Sequence, residues 1–86
     1  MSKTFFPEVV EFVPASSPHP PHTQYKVCIG MEEWNATFVP VIKVQMVYEG
    51  VVAGRRSPSY PLNSDDHSRV NDAILRLLAQ HFGSNE

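Results

Sequence analysis

The side chains in this sequence that could do chemistry fall in three short runs. The first is His19-Pro20-Pro21-His22, with two imidazoles three residues apart. Zinc is held by about four tetrahedral ligands. Two histidines supply half of that set, and no paired cysteines complete it. His67 and His81 lie far along the chain. The run could take up nickel or copper adventitiously, but no metal site is expected from it.

The second run is Asp65-Asp66-His67, preceded by Ser57, Ser59 and Tyr60. A histidine beside carboxylates and hydroxyls has the composition of an acid–base cluster. Adjacent helix positions do not face each other, however. The serines stand in no Gly-x-Ser-x-Gly elbow. A helix N-terminus can bind an anion, but here Asp65 and Asp66 already occupy that field. A small enzyme or ligand-binding protein using His67 with Ser59 or Tyr60 is thus the weakest of three readings. No catalytic residue and no cofactor is expected.

The third run is Arg55-Arg56, the densest positive charge. With Lys43, Lys26 and Arg69 it could form a phosphate-binding patch, with Tyr48, Tyr60 or Trp34 as surfaces for base stacking. The formal net charge of −2 argues against a chain dominated by phosphate-backbone contacts. Neither the aromatic-glycine signature of an RNA-recognition motif nor a Gly-x-x-Gly clamp is present. Nucleic-acid binding through Lys43, Arg55, Arg56 and Arg69 is the alternative reading. The plainer one is that these charges keep the last strand soluble. Arg55-Arg56-Ser57-Pro58-Ser59 also fits a basic-directed phosphorylation site, and Asn35-Ala36-Thr37 the glycosylation pattern.

The elements that must position these groups are read from periodicity. Val70, Ala73, Ile74, Leu77, Leu78 and Phe82 recur at steps of three and four, which predicts one amphipathic helix. Ser64 is its expected N-cap, with Asp65 and Asp66 in the first turn, where the helix dipole favours negative charge. Gly83 is the expected residue just past its end, and Ser84-Asn85-Glu86 should fray. Everything before the helix alternates like strand: Phe5–Val13, Gln24–Gly30, Ala36–Tyr48 and Val51–Arg56. In the third segment Phe38, Pro40, Ile42, Val44, Met46 and Tyr48 form the better core face. Glu49-Gly50 marks a hairpin tip. Pro14–Thr23 holds four prolines in ten residues and reads as an extended, mobile loop. Met31–Asn35 reads as a connection carrying Trp34, which either folds back as a lid on the core or stands out as a partner's anchor; the lid is the commoner arrangement.

The 86 residues make one small domain. The expected fold class is α+β: a four-stranded antiparallel meander with the C-terminal helix packed on one face. Cys28 is the only cysteine, which excludes an internal disulfide and fits a reducing compartment. No apolar run approaches the ~20 residues that span a bilayer, and the first residues lack the apolar core of a signal peptide. A cytoplasmic protein with no membrane role is the expectation.

One helix covers one face, and four strands have two. The bare face carries Val39, Val41 and Val47 among Lys26, Lys43, Gln45 and Cys28. Exposed apolar surface tends to find partners, often a second copy of the same chain. The leading expectation is a non-enzymatic interaction module, acting as a homodimer or on a protein partner, with Trp34, Val39, Val41 and Val47 at the interface.

Overall fold

The computed structural model of the chain describes residues 4–83. Four strands, β1 (Phe5–Pro14), β2 (Thr23–Trp34), β3 (Thr37–Tyr48) and β4 (Val51–Ala53), precede one helix, α1 (Asp66–Gly83). The sheet order is β1-β2-β3-β4 with every pair antiparallel. This is the α+β meander that the alternation predicts. No helix among the described residues is long and apolar enough to cross a membrane.

Two tight hairpins set the register. At Glu49-Gly50 both residues have positive φ, 49° and 82°. That geometry twists in the sense of the flanking strands. Asn35-Ala36 does the same with φ of 52° and 64°. The consequence is a correction: Met31–Trp34 is strand rather than connection, and Trp34 pairs with Thr37. Alanine is a poor turn residue, so nothing in its type announced this turn. β4 is shorter than expected because Arg56 N–H already donates to Ala53 O (3.1 Å) and turns the chain away.

A bulge between Pro7 and Val9 breaks the parity of β1. Each step along a strand reverses the side-chain face, so the extra residue puts Phe6 and Phe12 on opposite sides. Phe6 meets Phe38 on the helix side, ring centroids 5.8 Å apart. Val10 and Phe12 turn to the other side. Gly30 lies opposite Pro7, where a Cβ would stand 2.3 Å from Phe6 O. Only glycine lets the bulged strand approach so closely.

The helix starts one residue later than expected: it begins at Asp66, and Asp65, expected in the first turn, stands just before it with its carbonyl accepting from Arg69 N–H (2.9 Å). Ser64 Oγ accepts from Asp66 N–H (3.2 Å). Its buried stripe, Val70, Ala73 and Leu77, packs with Val13, Tyr25, Val27, Ile29 and Met46 as the core. α1 lies over β1 and β2. A helix about 10 Å wide covers about two strands spaced 4.8 Å apart. β3 is therefore covered only near its C-terminal end, where Met46 is buried, while Phe38 and Ile42 stand about half exposed. Phe82, which the spacing placed on the packed stripe, is 70% exposed, whereas Leu77 is 1% exposed. Gly83 is the last helical residue rather than the one beyond it. The expected fraying of residues 84–86 lies outside the described residues.

The proline-rich segment is narrower than 14–23, since Pro14 and Thr23 belong to strands. It is also folded. Ala15 N–H donates to Thr23 O (2.9 Å), His19 N–H to Ser16 O (3.0 Å) and Thr23 Oγ1–H to Pro20 O (2.6 Å).

Candidate functional site

The run Asp65-Asp66-His67 builds a structural knot. Asp66 is fully buried and its carboxylate has four partners. Oδ2 accepts from Ser16 N–H (2.9 Å) and lies 2.8 Å from Tyr25 Oη; Oδ1 accepts from Ser16 Oγ–H (2.6 Å) and Arg69 Nη2–H (2.5 Å). Burial alone would raise its pKa. The bonds from Ser16 and Tyr25 and the charge of Arg69 outweigh burial and hold it down at about 2. Tyr25 moves the other way: burial, then the Asp66 carboxylate, push its phenol well above the ordinary value. A saturated carboxylate and a phenol that keeps its proton are poor acid–base catalysts. Among the described residues no buried side-chain polar atom lacks a partner. The knot ties the proline-rich loop to the helix start.

His67 does not complete a catalytic set here. Its ring packs edge-on against Tyr60 (5.1 Å), and Tyr60 stacks on Tyr25 (5.1 Å). Ser59 acts through its carbonyl, 2.8 Å from both His19 Nε2 and Tyr25 Oη. Beside this knot runs an open groove of about 460 Å³ bordered by Pro18, His19, Pro20, Tyr48, Arg56 and Tyr60. The two histidines of the proline run do not converge on a ligand set, and no cluster of three metal-binding side chains occurs among the described residues.

The basic residues are only partly gathered. Lys43, Arg55 and Arg56 border one shallow depression of about 220 Å³. Lys43 is neutralised there by Glu32 (2.5 Å) and lies over the Phe5 ring (4.8 Å). Arg56 stacks on Tyr48 (5.7 Å). Arg69 is at the helix start, bound to Asp65, Asp66 and Pro14 O. Among the described residues Arg55 and Arg56 make no ion pair, whereas Lys43 and Arg69 do.

A further unclaimed feature, besides the half-exposed Phe6, Phe38 and Ile42 beside α1, is the sheet face away from the helix. The register places Phe5, Val10 and Phe12 of β1 on it, with Lys26, Cys28, Gly30, Glu32 and Trp34 of β2, Val39, Val41, Lys43 and Val47 of β3, and Val52 of β4. All four residues expected at the interface are on this face, but they differ in what they offer. Trp34 is half exposed and donates Nε1–H to Glu32 Oε1 (3.1 Å), so it is no lid on the core. Val39 and Val41 are half-buried. Val47 is 2% exposed, packed beneath its neighbours, and adds little area. Val10, Phe12 and Val52 supply more, being 40–50% exposed. The sequence hid Val10 and Phe12 because the bulge moved them relative to Phe6. Cys28 is buried in the middle of the face, and burial raises its thiol pKa against the pull of Lys26 and Lys43. It is a packing residue rather than a nucleophile.

No protein-family model matches the chain, and no curated protein or solved structure matches it either.

Proposed function

We propose that this chain is a small non-enzymatic interaction module, that its working surface is the sheet face opposite α1, and that its partner is a second copy of itself. One observation carries the reading: Phe12, Val10 and Val52 stand exposed on a face that no other element covers among the described residues. The strands have 10, 12, 12 and 3 residues; at about 3.3 Å rise and about 4.8 Å spacing they give roughly 600 Å² of face per copy. Two such faces together exceed the ~1,000 Å² that a specific interface needs.

The edges favour association through the face. Glu49 N–H, one residue past β3, donates to His22 O (3.1 Å), so in the register of β2 and β3 the odd-numbered residues of β3 aim their backbone at β2. The even ones aim outward, and Pro40 among them has no N–H to offer. At the other edge β1 carries Pro7 and its bulge. Proline and bulges are devices that blunt edge pairing.

Sedimentation velocity tests the reading with the wild type and Phe12→Glu, a change at a half-exposed site that leaves the core intact. The wild type should self-associate in the micromolar range. The variant should run as a monomer with an unchanged circular dichroism spectrum. A wild type that stays monomeric at high micromolar concentration, or a Phe12→Glu variant that dimerises as tightly, overturns it.

A further inference from the structure

We infer that two copies stack far face on far face about a two-fold axis that runs across the strands over the middle of β2, so that Lys26 of each copy meets Glu32 of the other. This deepens the reading of the face as a self-association surface and rests on it. Lys26 and Glu32 lie on that face and are each three residues from Ile29, about 10 Å to either side. A two-fold axis across the strands at that point exchanges their positions. Lys26 makes no ion pair among the described residues. Glu32 accepts from Lys43 Nζ–H and from Trp34 Nε1–H, and a carboxylate has lone pairs for further donors.

Three further features agree with this axis. Between the two charges the face is lowest, since Cys28 and Gly30 are its smallest residues. Two sheets can therefore close to the ~10 Å of a packed sandwich there. Phe12 lies level with Lys26, and Phe5 level with Glu32. The same axis sets Phe12 of one copy over Phe5 of the other, an aromatic pair on each side of the charges. The ~30° rotation of aligned sheets moves groups 10 Å from the axis sideways by about 5 Å, within a lysine's reach. The other two-fold arrangement, with the axis along the strands, sets Lys26 on Lys26 and Glu32 on Glu32. Like charges facing each other at a closed interface are repelled.

Charge reversal distinguishes these arrangements. Lys26→Glu alone and Glu32→Lys alone should each weaken self-association at least tenfold in sedimentation velocity. An equimolar mixture should restore a dimer, now mixed, because both contacts become Glu–Lys again. Native mass spectrometry reads its composition. A second readout does not depend on charge: in a Cys28→Ser background, a short bis-maleimide should join Lys26→Cys to Glu32→Cys faster than it joins either variant to itself. The axis is overturned if either reversal dimerises as tightly as the wild type, if the mixture stays monomeric, or if Lys26→Cys joins fastest to itself. If Phe12→Glu abolishes the dimer while Lys26→Glu preserves it, the face stands and the register falls. A monomeric wild type removes both.

Discussion

Replacing Asp66 with alanine should destabilise the protein far more than replacing its neighbour Asp65. The two carboxylates are adjacent in sequence at the start of the helix, Asp66 its first residue and Asp65 the one before it. Asp65 is an exposed side chain (71%) paired only with Arg69, at 3.0 Å. Exposed i,i+4 pairs contribute about 0.3–0.5 kcal/mol. Asp66 is fully buried and accepts from Ser16 twice, from Tyr25 and from Arg69. Breaking a buried, hydrogen-bonded ion pair costs about 3–5 kcal/mol. Tyr25 retains Ser59 O and Arg69 retains Asp65 and Pro14 O, which places the expected loss near the low end. Ser16 N–H has no such second partner. About 3 kcal/mol corresponds to roughly 12–24 °C in Tm for a domain of this size. Urea unfolding followed by circular dichroism, at one fixed protein concentration, measures both variants. pH supplies an independent check. The carboxyl is held down at about 2 in the folded chain, so its contribution is full above the ordinary carboxylate range near 4 and fades as pH falls towards 2. The Asp66→Asn variant should lack that part of the acid loss. Equal costs for Asp65→Ala and Asp66→Ala, or an acid profile unchanged in Asp66→Asn, would mean that the Asp66 carboxylate does not hold the loop to the helix.

Three other substitutions test the fold. Leu77→Ala should cost about 2–5 kcal/mol, whereas Phe82→Ser should stay within about 0.5 kcal/mol, although both residues sit on the same sequence stripe; thermal unfolding compares them. Ala36→Gly should stabilise by about 0.5–1 kcal/mol, since Ala36 sits at φ 64° where glycine has no Cβ penalty; a lower urea midpoint would contradict the turn. Gly30→Ala should cost about 1–3 kcal/mol, because its new methyl would have to displace the Phe6 carbonyl; a neutral result would remove the close approach of β1.

What the sequence discloses depends on the range of the interaction. The helix is local: its stripe, the Ser64 cap and the acidic first turn are all spelled out within one segment. The meander is nearly as local, because strands joined without helices pair with their neighbours, and the tip at Glu49-Gly50 names itself by its glycine. The second hairpin gives no such sign, since Asn35-Ala36 reaches positive φ with an alanine. The β1 bulge is invisible for a related reason. It is decided by β1 approaching Gly30 on another strand, and it determines which side Phe12 takes. Phe82 obeys helical spacing, but its burial depends on how much sheet the helix covers. Asp66 reads as a capping residue, and its buried role appears only when Ser16, fifty positions earlier, folds onto it. The bare face was legible through Val39 and Val41. Two of its exposed apolar members, Val10 and Phe12, were hidden behind the bulge.

Sedimentation equilibrium of the unmodified chain, from a few to a few hundred micromolar, tests the central claim most directly. The weight-average mass should rise from the 9.7 kDa of one chain towards twice that value and stop there, as a closed two-fold interface requires. A mass that stays at one chain throughout would contradict it.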